Sequence, residues 1–210
     1  GKCNLRYYWY FLIMENSQMI KKIGTTLFTL RSYTPIPLIF LVVYFAQLSW
    51  ILSIVGVLVL LIGELMRIWA VGYAGGRTRT RFMNDSQVLV TSGPYAYSRN
   101  PLYLGNFLIS AGICIIANVW WLMIVVPVAF FLQYLPIILS EENHLRQQCG
   151  EVYEDYLKVV PRLGFRFQAY GNRSDHYFSL SRALRSERRT FVAILLVIVL
   201  ISGFSQLKTT

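Results

Sequence analysis

Charge is scarce in this chain. Only 14% of its 210 residues are Asp, Glu, Lys or Arg, against 55% hydrophobic. With a mean hydropathy of +0.48, that balance excludes an ordinary soluble domain and points to a membrane protein. Acidic residues are scarcer than basic ones, 10 against 20, for a net charge of +10. In a soluble protein such an excess would suggest nucleic acid as a partner. Here the bases sit in loops between apolar runs, so they report topology and attraction to anionic lipid headgroups, with no nucleic-acid partner. Cysteine is limited to Cys3, Cys114 and Cys149. They are too widely spaced for a disulfide framework or a zinc pattern. The two histidines, His144 and His176, are far apart, and no metal site is expected. A phosphate-binding Walker loop and a Ser nucleophile elbow are both missing. Gly72-Tyr73-Ala74-Gly75-Gly76 follows a membrane helix rather than a strand, which excludes a dinucleotide turn. No small-residue cleavage site follows the apolar stretch Tyr7 to Met14, so no cleavable leader is read there.

What is present is two long apolar blocks. The length suggests one domain over 1–210. Within 1–33, Tyr7 to Met14 is too short to span and reads as an interfacial helix, or one packed on the bundle, or a disordered terminus. The first block runs from Pro35 to about Tyr73, too long for one crossing of a roughly 30 Å core. Its weak point at Gln47-Leu48-Ser49 predicts a tight turn and helices over about 34–48 and 51–73. Glu64 and Arg67 share a face of the second helix. They are either a functional pair or an arginine snorkelling to the interface with its companion. A polar loop follows over 74–101, with Gln87 to Thr91 a short extended or irregular piece. The second block, Leu102 to Ser140, breaks at Ala117-Asn118 and predicts helices over 102–116 and 119–140. Pro127 and Pro136 should kink the latter or loosen its hydrogen bonding. Trp120 and Trp121 suit an interfacial belt.

At Glu141 the character turns polar, and the helix continues with a local break at Gly150 and an end at Val160-Pro161. Residues 163–189 read as basic and irregular, becoming amphipathic near 180–189. Residues 191–204 read as a short or tilted span, with a re-entrant helix as the alternative. The expected fold is all-α: a polytopic bundle of about five transmembrane helices, made of two tight hairpins plus a C-terminal helix. Lysine and arginine fall before residue 35, in 76–101 and in 141–190, and not in the turns near 48 and 118. That pattern places the N-terminus, the 76–101 loop and the 141–190 segment in the cytoplasm. A helical hairpin over 102–140 then brings Tyr95, Arg99, Asn100 and Tyr103 to the same face as Glu141, Glu142 and His144. The glutamates either begin a solvated helix or line a polar pocket; Asn100-Pro101 caps and starts a helix in either case.

These residues carry a resemblance. Leu89-Val90-Thr91-Ser92-Gly93-Pro94-Tyr95, Arg99-Asn100-Pro101-Leu102-Tyr103-Leu104-Gly105, Glu141-Glu142-Asn143-His144-Leu145, Cys149-Gly150-Glu151-Val152-Tyr153-Glu154-Asp155-Tyr156 and Val160-Pro161-Arg162 stand in linked order. Over about 87–163 the chain resembles the integral membrane methyltransferases of the isoprenylcysteine carboxyl methyltransferase and phospholipid N-methyltransferase type. The segment 164–210 falls outside the resemblance. The resemblance implies S-adenosylmethionine as methyl donor in a cytoplasm-facing pocket. By position it implies that Gln87, Val88, Leu89, Val90, Tyr95, Asn100, Pro101, Leu102, Tyr103 and Glu141 hold the donor. It places Glu141, Glu142 and Arg99 at the reaction centre, either glutamate serving as base. Asn100 stands where the prenylcysteine enzymes have histidine. Ile137 stands where they carry the arginine that binds the substrate carboxylate. The expected acceptor is therefore a membrane lipid or lipid-like molecule with an amine headgroup. Carboxyl methylation of a prenylcysteine and a non-catalytic scaffold are the alternatives. A transporter would need an internal repeat, and none is visible.

Overall fold

The structure is a computed structural model that describes residues 22–74 and 89–209. The interfacial helix expected at 7–14, the arginines of 77–81, and Gln87 and Val88 lie outside the described residues. The described residues contain six α-helices and no strand. The helices are α1 (Lys22–Leu30), α2 (Pro35–Phe45), α3 (Trp50–Ala74), α4 (Pro101–Ala117), α5 (Leu122–Val159) and α6 (Leu180–Thr209). A single 3-10 turn, Gly93–Ala96, precedes α4.

Both predicted tight turns are found. Pro35 and Pro101 each open a helix, where the missing N–H is harmless. Ala46 leaves α2 with extended angles, and Asn118 closes α4 in the left-handed conformation at φ 53°. Asn is one of the few side chains that adopts this conformation readily. The two turns meet, because the Gln47 N–H donates to the Ala117 carbonyl at 2.9 Å. Exposed Trp50 and Trp120 flank this far end.

Glycine sets the closest helix contact. Gly56 and Gly63 of α3 face Gly112 and Gly105 of antiparallel α4, backbone on backbone, as small residues allow inside membranes. A methyl group on Gly105 would lie 2.6 Å from Arg67 Cγ and 2.8 Å from the Gly63 carbonyl oxygen. Gly105→Ala is therefore expected to destabilise the bundle by about 1–3 kcal/mol through overpacking. Thermal unfolding in detergent checks this, and an unchanged midpoint would refute the contact.

Two features depart from expectation. Residues 22–30, part of the mixed N-terminal segment in the sequence, form α1, which meets α2 at a 48° bend. Residues 163–179 are irregular, as expected, whereas the amphipathic 180–189 and the apolar 191–204 join into one unbroken 30-residue helix from Leu180. No proline interrupts it, and its polar turn is drawn into the bundle by Glu187, which is completely buried against Arg67. α6 runs the length of the bundle. The Ser179 N–H donates to the Gly72 carbonyl at one end, while Lys208 Nζ donates to the Tyr44 carbonyl at the other. Its Val197 and Ile201 join Val42, Leu60, Ile109 and Leu122 in the far core.

Helix α5 keeps helical angles through Pro127 and Pro136 and breaks at Gly150, at φ 51° and ψ −127°. By length and composition α3, α5 and α6 can each cross a membrane, and the bent pair α1–α2 would make a fourth span. α4 has 17 residues, about 26 Å at 1.5 Å per residue. The chain is a multi-pass helical membrane protein; the expected count of about five rests on α4 and on α1–α2.

Arg67 does not snorkel. Its guanidinium turns inward, bonding Glu187 at 2.6 Å and 3.2 Å, Asn106 Oδ1, and Thr190 at 3.4 Å, with Glu64 at 3.8 Å. This cluster joins α3, α4 and α6.

Candidate active site

The hairpin of α4 and α5 brings the start of α4 beside the end of the apolar part of α5. Tyr103 lies in the first turn of α4, and its hydroxyl donates to Glu141 at 2.8 Å. Tyr103 also packs on Tyr134, ring centres 5.3 Å apart. Below them Phe28 of α1, Ile137 and Ile138 close an apolar floor. The position where the prenylcysteine enzymes carry arginine is here a fully buried isoleucine.

Glu142 faces a different set of partners. Arg162 bonds both its oxygens, with Nε at 3.1 Å and 3.0 Å and Nη2 at 2.8 Å. Arg99 adds Nη1 at 3.0 Å, and the Asn100 amide approaches to 3.5 Å. Two guanidinium groups thus neutralise one buried carboxylate, at a site where a lone charge would be costly. The same segments are tied by backbone. The Arg99 N–H donates to the Pro161 carbonyl at 2.9 Å, and Asn100 Nδ2 donates to the Arg162 carbonyl at 3.1 Å. Asn100 makes no side-chain cap on α4, contrary to expectation, because its amide is committed to Arg162 and Glu142.

The stretch Thr91 to Asn100 is held from outside by the end of α5 and the tail that follows it. Tyr156 Oη donates to the Tyr95 carbonyl at 2.7 Å. Arg166 N–H bonds the Tyr97 carbonyl and Tyr170 N–H the Ala96 carbonyl. Ser174 exchanges hydrogen bonds with Thr91 and Ser92. Burial first, and the charge of Glu141 second, hold the Tyr95 phenol well above its usual range, so it stays a neutral donor.

Tyr95, Asn100, Pro101, Leu102, Tyr103, Glu141 and Glu142 therefore gather at one end of the bundle, with Arg99. Leu89 packs against Tyr153, Tyr156 and Val160 rather than beside Glu141, and Val90 is half-buried. The sequence reading passed over Tyr134 and α1. Tyr134 lies seven residues before Glu141, two turns along the same helical face, which was a usable signal. Arg162 stood in the quoted Val160-Pro161-Arg162 motif, but its partner became visible only once α5 and the tail were placed. Among the described residues no group of three or more His, Cys, Asp or Glu could hold a metal ion.

Fold and site together define a polytopic helical membrane protein with a cluster of carboxylates, tyrosines and arginines at one end of the bundle. Residues 51–152, just under half of the chain, match the phospholipid methyltransferase family, a family of membrane methyltransferases. The chain is 30% identical over 131 residues to the nickel-cobalt-cadmium resistance protein NccN of Alcaligenes xylosoxydans xylosoxydans, covering 61% of this chain and 58% of that protein. It is 34% identical over 118 residues to protein-S-isoprenylcysteine O-methyltransferase of Xenopus laevis, covering 55% and 41%. It is 29% identical over 126 residues to the cobalt-zinc-cadmium resistance protein CzcN of Cupriavidus metallidurans, covering 60% and 55%. The aligned region thus spans about half the length of these relatives. No solved structure matches the chain.

Proposed function

We propose that this protein transfers a methyl group from S-adenosylmethionine to the amine headgroup of a membrane lipid, with Glu141 as the base. The observation that carries this reading is the Tyr103–Glu141 pair, set at the bundle mouth apart from the clasped Glu142. The residues present suit the donor. A carboxylate and two tyrosine rings can hold an ammonium and face a sulfonium. Ser98 Oγ and His144 Nε2, beside them in sequence, are buried with no hydrogen-bond partner among the described residues. When bound, S-adenosylmethionine supplies a methyl group carried on a cationic sulfur.

The chain's own residues would then do three things. Tyr95, Asn100, Pro101, Leu102 and Tyr103 hold and orient the donor, with Gln87, Val88, Leu89 and Val90 assigned to it by the resemblance; alignment of the reactants supplies most of the acceleration. Glu141 takes the proton from the acceptor's ammonium group, freeing the nitrogen lone pair. Glu142 with Arg99 and Arg162 positions the donor-holding stretch and is too fully neutralised to act as the base. The site end faces the cytoplasm in this reading. Exposed Phe167 and Tyr177, with exposed Arg173, Arg182, Arg185, Arg188 and Arg189, suit contact with anionic headgroups there.

Carboxyl methylation of a prenylcysteine is favoured by the names of several relatives; buried Ile137 stands against it. Calorimetric titration of the detergent-purified protein with S-adenosylmethionine tests the donor assignment. Micromolar binding is expected for wild type. A folded protein that binds no donor would make the chain a scaffold.

A further inference from the structure

Arg31 lies at the corner between α1 and α2, inside the bent pair rather than beyond it. Its guanidinium carbon sits 3.6 Å above the Phe28 ring, and Nη1 reaches back to the Phe28 carbonyl at 3.4 Å. Gln133 of α5 approaches the Arg31 carbonyl at 3.5 Å. The side chain thus points along α1 toward the floor that Phe28 forms under Tyr103. Among the described residues no carboxylate comes within ion-pair distance of Arg31. Within the candidate bent span α1–α2, a half-buried cation without a close counter-ion is costly and marks a ligand path.

Beside it is a cavity of about 120 Å³ between α2, α4 and α5. Pro35, Leu38, Ile113, Val126 and Phe130 line it, and Gln133 and Tyr134 form the end nearest Arg31. Tyr134 packs on Tyr103, which bonds Glu141. The cavity's Gln133 thus meets the Arg31 backbone, and its Tyr134 meets the Tyr103–Glu141 pair.

We propose that Arg31 and this cavity bind an amphiphile, its phosphate or carboxylate against Arg31 and its hydrocarbon chain between α2, α4 and α5. This rests on the methyl-transfer reading and narrows its acceptor: the nucleophile that meets Glu141 lies within a few bonds of an anionic group. A phospholipid amine meets that requirement through its phosphate. Ile137 then leaves no deficit of positive charge, because the corner between α1 and α2 supplies the cation that α5 lacks.

Native mass spectrometry of the full chain, released from detergent, tests this with phosphatidic acid, palmitate, diacylglycerol and inorganic phosphate as probes. At least one anionic amphiphile should bind wild type about ten-fold or more tightly than diacylglycerol, as expected of a charge-assisted contact. Arg31→Gln should erase that preference, Arg31→Lys should keep most of it, and Lys158→Gln, at the exposed surface beside Asp155, should not alter it. Which amphiphile wins, phosphatidic acid or palmitate, identifies the headgroup. Equal binding of charged and neutral lipids by wild type overturns the proposal, even if Arg31→Gln fails to fold. Displacement of the amphiphile by millimolar inorganic phosphate overturns the role given to the cavity. Titration of S-adenosylmethionine on the same sample separates the two readings. Donor binding without anionic preference removes this inference alone, and anionic preference without donor binding removes methyl transfer alone.

Discussion

Replacing Glu141 by glutamine lowers methyl transfer by about 10²- to 10⁴-fold, the range that a positioned general base contributes. Glutamine has the same shape, and its amide oxygen still accepts the Tyr103 hydroxyl that now lies 2.8 Å from Glu141. The apolar floor of Phe28, Ile137 and Ile138 beneath is untouched. The bundle should therefore melt as wild type does, and what is lost is the capacity to take a proton from the acceptor. Initial rates with labelled donor, set beside a donor titration, read this out. A large loss in rate with a small change in donor affinity assigns Glu141 to the base. Parallel losses in both would move it to the donor-binding set, and an undiminished rate would remove it from the chemistry.

Replacing Glu142 by alanine acts on the fold first. It leaves Arg99 and Arg162 facing each other without the carboxylate that now receives bonds of 2.8–3.1 Å from both. Breaking a buried pair by removing one partner typically costs about 3–5 kcal/mol. Glu142 is buried and Arg99 nearly so, but the Arg162 side chain is 40% exposed. The expected loss is therefore toward the lower end, about 3 kcal/mol, read as a lowered unfolding midpoint in detergent. Donor binding should fall with it, because the clasp fixes Arg99-Asn100 against Pro161-Arg162. Glu142→Gln, which still accepts hydrogen bonds, should be milder on both measures. An alanine variant with the wild-type midpoint and donor affinity would reduce the clasp to a surface ornament.

The two glutamates thus separate by neighbours, and that separation was invisible in the sequence. Adjacent residues on a helix point about 100° apart, so Glu141-Glu142 had to face different partners. Which one met a tyrosine and which met arginines depended on the path of the tail after Pro161. That tail has no periodicity of its own; its backbone N–H groups bond the carbonyls of Ala96 and Tyr97. The hairpins were legible because Gln47-Leu48-Ser49 and Ala117-Asn118 interrupt otherwise unbroken apolar runs. Helix α6 was misjudged because its arginine-rich first turns look solvated, and only Glu187 meeting Arg67 shows why they stay helical inside the bundle. Helix α1 is nine residues long and mixed, too short for period to speak, although it supplies Phe28, and the corner after it Arg31, to the site end.

The account is tested most directly by incubating the purified protein with labelled S-adenosylmethionine and a total membrane lipid extract, then identifying the methylated species. The account predicts label in a lipid whose methylated nitrogen lies a few bonds from an anionic group, with label lost in Glu141→Gln. Label on the carboxylate of a prenylcysteine would transfer the reading to the alternative acceptor. Donor bound at Tyr103 and Glu141 with no lipid labelled in any extract would contradict it.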